Sequence, residues 1–81
     1  MVRKDKLLEK AIRNPRGLRF GEFENLLTQC GWRFDRQKGS HRIWYSPTGF
    51  RLSVQVRGNL AKGYQVEQFL KRYAEETKNE E

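Results

Sequence analysis

The single histidine of the chain, His41, lies in the stretch QKGSHRIWYS, after a Gly-Ser pair and before a run of β-branched and aromatic residues. Imidazole titrates closer to neutral pH than any other side chain, so a histidine can take up and return a proton during catalysis. The same stretch is also typical of a turn that leads into a β-strand, where a histidine is an ordinary polar residue. The residue types alone leave both interpretations open.

The residues before His41 have a chemistry of their own. Gly39 lets the backbone come close to a phosphate group, and the following amides and the Ser40 hydroxyl can donate hydrogen bonds to it. Lys38, Gly39 and Ser40 equally suit a plain turn between two strands. A Ser40 nucleophile with His41 as its base is disfavoured, because adjacent residues of a strand point to opposite faces.

The charge of the chain is unevenly distributed. Lys and Arg number 17 against 10 Asp and Glu, a net charge of +7, and the 31 residues from Arg36 to Val66 contain no acid. Such a surface attracts phosphate backbones, although a solvated basic face or an acidic protein partner would also account for it. The candidate phosphate contacts among the basic residues are Lys38, Arg42, Arg57 and Lys62.

Length and composition limit what the protein can be. Eighty-one residues suit one domain spanning 1–81. Cys30 is the only cysteine, which excludes an internal disulfide, and no Cys/His cluster has metal-ligand spacing. No run of some twenty apolar residues is present, and charges interrupt the apolar positions at the N-terminus. We therefore expect a cytoplasmic protein without a metal ion or cofactor.

The apolar residues change period along the chain. Helical spacing predicts helices over 4–14, 20–32 and 64–76, the second ending at Gly31. Alternation and β-branched or aromatic residues predict strands over 32–37, 41–46 and 50–56, with SPTG as a turn and RGNLAKG as a break. The last residues, 76–81, should fray.

This order predicts an α+β two-layer sandwich in which a three-stranded antiparallel sheet carries both main helices on one face. Phe20, Phe23, Leu26, Phe69 and Leu70 are the expected core, with Cys30 as a small buried filler. The other face of the sheet is left to water or to a partner. Alternation does not tell which face Trp44 and Tyr45 occupy.

Two longer stretches, RQKGSHRIWYSPTG and VQVRGNLAKGYQVEQFLKRY, resemble the HicA toxins of bacterial and archaeal toxin–antitoxin pairs. The resemblance extends from the leading LLEKAIRNP through CGWRF to AKGYQV. One departure is Ala61-Lys62-Gly63-Tyr64, where related sequences often have Ala-Lys-Pro-Tyr. Glycine there loosens the start of the helix without removing function.

The resemblance implies a fold like that of double-stranded-RNA-binding domains, α-β-β-β-α, preceded here by a short extra helix. It also implies metal-independent cleavage of mRNA by His41 and inhibition by a HicB-like antitoxin. Metal-free cleavage needs a base for the 2′-hydroxyl, an acid for the departing 5′-oxygen and cations near the phosphorus. Tyr45, Lys62 and His41 itself remain open as the acid.

Two other classes of function remain. One is a non-catalytic double-stranded-RNA-binding module, in which the basic residues dock on the backbone and His41 only forms a hydrogen bond. The other is a small adaptor whose basic face binds an acidic protein.

Overall fold

The computed structural model describes residues 3–78, and its elements follow the predicted α+β order. In chain order they are α1 (Lys4–Arg13), a 3-10 turn (Pro15–Gly17), α2 (Phe20–Gln29), β1 (Arg33–Lys38), β2 (His41–Tyr45), β3 (Arg51–Val54), β4 (Val56–Arg57), β5 (Leu60–Ala61) and α3 (Gly63–Thr77). Strands β1, β2 and β3 form an antiparallel sheet in that order. The α-β-β-β-α fold with an extra N-terminal helix is confirmed. No helix within residues 3–78 has the length and apolar character needed to cross a membrane.

The core lies between the sheet and the helices. Phe23 of α2 and Phe69 of α3 are fully buried, with their ring centroids 5.8 Å apart in an edge-to-face arrangement. Trp32 packs edge-on against Phe69 at 5.2 Å, and Trp44 and Leu52 join the same cluster from the sheet. The helices therefore cover one face of the sheet, as predicted, and burial of the aromatic side chains stabilises this arrangement by about 1.5–3 kcal/mol each.

The two faces of the sheet differ in what they contact. Along β2, Trp44 belongs to the core and Arg42 bonds to Glu24 of α2, so these side chains face the helices. Alternation then places His41 and Tyr45 on the opposite, open face. The uncertainty about Trp44 and Tyr45 is thus resolved, with Trp44 inside.

The segment predicted as a break, RGNLAKG, instead contains a second, two-stranded sheet. Gly58 has φ +64°, a conformation that favours glycine, and it allows β4 to turn directly into β5. The hairpin is anchored at the start of α2, because Ala61 N donates to Leu18 O at 2.9 Å and Phe20 N donates to Asn59 O at 3.1 Å. These tertiary bonds, which leave no periodic signal in so short a segment, explain the difference from the prediction.

The ends of the helices agree only in part with the sequence. Gly31 follows α2 with φ +85°, as expected of a left-handed helix stop. In α1, Leu7 and Ala11 are buried, whereas the apolar Ile12 is 67% exposed. Of the predicted frayed tail 76–81, Glu76 and Thr77 are helical, and residues 79–81 lie outside the described part of the chain.

Glu76 ties the end of α3 to the turn between β2 and β3. Its Oε2 accepts hydrogen bonds from Ser46 Oγ at 2.6 Å and from Arg72 Nε at 2.7 Å. Burial raises the pKa of the Glu76 carboxyl, but the bonds from Ser46 and Arg72 outweigh burial and hold the pKa below its usual value. The carboxylate therefore stabilises the folded chain only while it is ionised.

The first prediction concerns acid stability. A group with a lowered folded-state pKa contributes stability above its unfolded pKa, near 4.5 for a glutamate, and that stability is lost as the pH falls through the folded pKa. Glu76→Gln should lower the free energy of unfolding at pH 7 by about 1–2 kcal/mol and flatten its fall between about pH 5 and 3. Urea denaturation across this range measures both effects. The control is Glu75→Gln, because the Glu75 carboxylate is half exposed and lies 3.7 Å from Arg72. Equal behaviour of the two variants would contradict the stabilising role of Glu76.

Candidate functional site

The open face of the sheet is cationic. Residues paired directly across antiparallel strands project to the same face, so the register identifies what accompanies His41 there. These side chains are Arg33, Arg36, Lys38, His41, Ile43, Tyr45, Arg51 and Ser53. Four of them are Lys or Arg and none is an acid; the nearby Asp35 lies at the bulge in β1 and pairs with Arg36.

His41 is oriented by a residue of the neighbouring strand. The last pair between β2 and β3 is Arg42 with Val54, so Ser53 lies diagonally across from His41. The Ser53 Oγ is 2.9 Å from His41 Nδ1, a hydrogen-bond distance. No side chain or backbone group of residues 3–78 bonds to Nε2. The contact therefore fixes one ring nitrogen and leaves the other for a ligand.

His41 lines a cleft with an apolar floor. Ile43 is only 2% exposed although it lies on the open face, because its neighbours there surround it. The cleft, about 410 Å³, is bounded by Lys38, Gly39, Arg51 and Ser53 as well as by His41 and Ile43. Within the described residues, neither Lys38 nor Arg51 forms an ion pair. Two cations without carboxylate partners beside an imidazole suit an anionic ligand.

The Gly-Ser turn before His41 joins β1 to β2. Gly39 has φ +61°, and a Cβ there would meet nothing within 4 Å, so the residue is required for its backbone conformation and borders open space. Ser40 Oγ accepts a hydrogen bond from Gln55 Nε2 at 3.2 Å. Ser40 is thus engaged away from His41, and the hydroxyl beside the imidazole is that of Ser53.

Gln55 connects this turn to the start of α3. Its Oε1 accepts a hydrogen bond from Lys62 Nζ at 3.0 Å while its Nε2 reaches Ser40. Lys62 and Arg57 line a separate groove next to α3. Two of the predicted phosphate contacts, Lys38 and Gly39, therefore share the cleft with His41, whereas Arg57 and Lys62 lie beyond Gln55.

The sequence was compared with models of known families. The model described as the HicA toxin of bacterial toxin–antitoxin pairs matches residues 20–73, about two thirds of the chain. The chain belongs to the HicA toxin family. It is therefore the toxin member of a toxin–antitoxin pair, a class that acts with an antitoxin partner. Neither the comparison with curated proteins nor that with solved structures found a match.

Arg42 of this HicA toxin lies apart from the cleft. Its guanidinium pairs with Glu24, donates to Gln37 Oε1 at 3.0 Å and lies 4.3 Å from the centroid of the Phe34 ring. Glu24 also accepts a hydrogen bond from Trp44 Nε1 at 3.2 Å. Arg42 therefore links β2 to α2 on the helix side of the sheet, and the structure does not bring it to His41.

Two residues of the cleft, Ser53 and Arg51, were missed as site residues. The signal was present in the sequence, because a hairpin closed at SPTG places alternate residues of β2 and β3 on one face. Using this signal required the exact register, which the turn sequence alone left open.

In the described residues of this HicA toxin, no group of three or more His, Cys, Asp or Glu side chains could hold a metal ion.

The second prediction is that Arg42 contributes to the stability of the fold and Lys38 does not. Arg42→Gln should lower the free energy of unfolding by about 1–3 kcal/mol, because Glu24 loses a charged partner in a half-buried place. Lys38→Gln should change it by less than about 0.5 kcal/mol, since Lys38 is exposed and unpaired among residues 3–78. Urea denaturation of both variants, which remove the same charge, tests the contrast. Similar losses would show that Arg42 does not link β2 to α2 in solution.

Proposed function

We propose that this HicA toxin is a metal-independent endoribonuclease that cleaves mRNA in the cytoplasm, with His41 as its catalytic residue. The observation that carries the proposal is the setting of the imidazole: Nδ1 is held by Ser53 at 2.9 Å, and His41 lines a cleft whose two cations, Lys38 and Arg51, form no ion pair within residues 3–78. Family membership supports a toxin. The cleft supplies the chemistry by which a toxin of this size would act on RNA.

The proposed reaction uses the 2′-hydroxyl of RNA as its nucleophile. In the proposed tautomer, neutral His41 keeps its proton on Nδ1 and donates a hydrogen bond from it to Ser53 Oγ, 2.9 Å away. The Nε2 lone pair can then take the 2′-hydroxyl proton. The O2′–P bond forms and the P–O5′ bond breaks, and the departing oxygen receives a proton from the imidazolium or from water. Lys38 and Arg51 at the edges of the cleft offset the negative charge on the phosphoryl oxygens.

The remaining predicted contacts extend the RNA site on one side of the cleft. The Gly39-Ser40 turn offers backbone amides beside the phosphate, and Lys62, held by Gln55, supplies a cation further along. Arg57 borders the same continuation. Arg42 is not part of the proposed site, because it is bound to Glu24.

The proposed antitoxin is a HicB-like protein that covers the open face. Charge complementarity supports this. The residues paired across the strands on the open face include four Lys or Arg and no acid, and such a face attracts an acidic surface. A partner bound there would cover His41 and exclude RNA at the same time. Inhibition would then require no change in the shape of the toxin.

The third prediction tests catalysis by His41. His41→Gln should reduce cleavage of a single-stranded RNA at least about a hundredfold and remove growth inhibition, because general acid–base catalysis typically contributes that much or more. Folding, measured by circular dichroism, and RNA binding should persist. Wild-type cleavage should be unchanged by EDTA. If the wild-type protein binds RNA but leaves it intact with or without divalent ions, the non-catalytic binding module is the correct function.

The fourth prediction concerns Ser53 as a positioning residue. Ser53→Ala should lower kcat about three- to thirtyfold with little change in KM, because the imidazole loses the bond that fixes its orientation. Ser53→Thr keeps a hydroxyl in a strand position suited to β-branched residues and should restore most of kcat. Steady-state kinetics on a short oligoribonucleotide separate the two constants. Equal loss in both variants, or a loss confined to KM, would remove Ser53 from this role.

A further inference from the structure

A second concave surface lies at the start of α3, outside the His41 cleft. We call it the α3 groove; at about 680 Å³ it exceeds the cleft, and the residues that define it here are Arg16, Arg57, Lys62, Tyr64 and Glu67. The 3-10 turn forms one wall and the β4–β5 hairpin another. Because the hairpin is bonded at the start of α2, the walls are fixed to the body of the domain.

Tyr64 lines this groove, and its ring is exposed but held by a hydrogen bond. The residue is 56% exposed, and its hydroxyl accepts a hydrogen bond from Gln65 Nε2 at 3.2 Å. Gln65 is 3% exposed, and its Oε1 accepts a bond from Gln55 N at 2.7 Å. A buried amide therefore holds the exposed ring in place, so a flat ligand that stacks on it would immobilise little further.

The groove carries an excess of positive charge around that ring. Arg16, Arg57 and Lys62 form no ion pair with any described residue, and Glu67 is the one acid among the residues lining the groove. Gly63 brings the start of α3 against Arg16, since a Cβ at that position would lie 2.8 Å from Arg16 Cγ. The close approach keeps the Arg16 side chain beside the groove.

One side chain links the α3 groove to the turn that precedes His41. Gln55 bonds to Ser40 next to His41 with one end of its side-chain amide and to Lys62 at the groove with the other. A strand whose phosphate lies at His41 and whose backbone follows Ser40, Gln55 and Lys62 would be led toward the groove that holds the Tyr64 ring. Unpaired bases offer their faces to such a ring, whereas the bases of a duplex are stacked on each other.

From these contacts we infer that the α3 groove is a nucleotide subsite for single-stranded RNA, in which Tyr64 stacks on an unpaired base next to the cleavage site and Arg16, Arg57 and Lys62 contact the flanking phosphates. The inference rests on the proposed function, since it assigns the path of the same substrate. It makes Tyr64 a determinant of substrate length and of the preference for unpaired RNA.

The fifth prediction tests the stacking in a chain that cannot cleave. In the His41→Gln background, Tyr64→Ala should weaken binding of a fluorescent single-stranded octaribonucleotide about 5- to 150-fold, the usual range for one base stacked on an aromatic ring. Tyr64→Phe keeps the ring and should stay within about threefold. Ile12→Ala, which removes an exposed apolar side chain on α1, should have no effect. Fluorescence anisotropy gives the affinities, and circular dichroism confirms folding of each variant.

The outcomes separate this inference from the proposed function. If the His41→Gln chain binds RNA and Tyr64→Ala binds it equally well, the subsite is wrong while the ribonuclease proposal stands. If Tyr64→Ala weakened the binding of a blunt RNA duplex of the same length as much as that of the single strand, base stacking would be overturned. A Tyr64→Ala variant that keeps its RNA affinity but no longer binds the antitoxin would assign the groove to the protein partner. Absence of RNA binding by the parent chain would overturn both proposals.

Discussion

The register of β2 against β3 determines the side of the sheet on which His41 and Ser53 lie. Trp44 pairs with Leu52 and faces the helices, while Ile43 pairs with Ser53 and faces outward. A slip of one residue would turn Trp44 to solvent and His41 into the core. Burial of Trp44, with its indole bonded to Glu24 at 3.2 Å, holds the register. The contact between His41 and Ser53 follows from the same pairing.

The distribution of acids explains why the open face remains cationic. Glu22 and Glu24 act on the helix side: Glu22 accepts a hydrogen bond from Lys10 at 2.9 Å, which lowers its pKa, and Glu24 binds Arg42. Each acid joins two elements of the domain and is not available to neutralise the Lys and Arg side chains on the open face of the sheet. Lys38 and Arg51 form no ion pair with any described residue, so both side chains are left to contact a ligand. This distribution adds little to the stability of the isolated toxin and favours anionic partners.

The sequence predicts the three helices of this fold well because each carries several apolar residues at a clear period. Phe23 and Leu26, or Phe69 and Val66, identify a buried helical face without any knowledge of what covers it. His41 was found for a different reason, its motif. Ser53 was not assigned to a site, because its position beside His41 depends on an exact cross-strand register. Tyr64 lies in the AKGYQV motif, but the motif gave it no role. Arg42 shows the converse limit, because a charge count along the chain does not reveal that Glu24, eighteen residues earlier, lies across from it.

Gln65 of α3 connects the two concave surfaces through Gln55, the residue between β3 and β4. A primary amide buried to 3% exposure is unfavourable unless its polar atoms are bonded, and here Oε1 takes Gln55 N while Nε2 reaches Tyr64 Oη. The strand β3 ends at Val54, so Gln55 N is not used by the β2–β3 ladder and is satisfied by α3 instead. The Gln55 side chain is then directed to Ser40 and Lys62. An apolar residue at 65 would leave the half-buried Gln55 amide without this partner and release Gln55. Gln65, the one polar residue among the buried residues of α3, therefore sets the geometry between the cleft and the α3 groove.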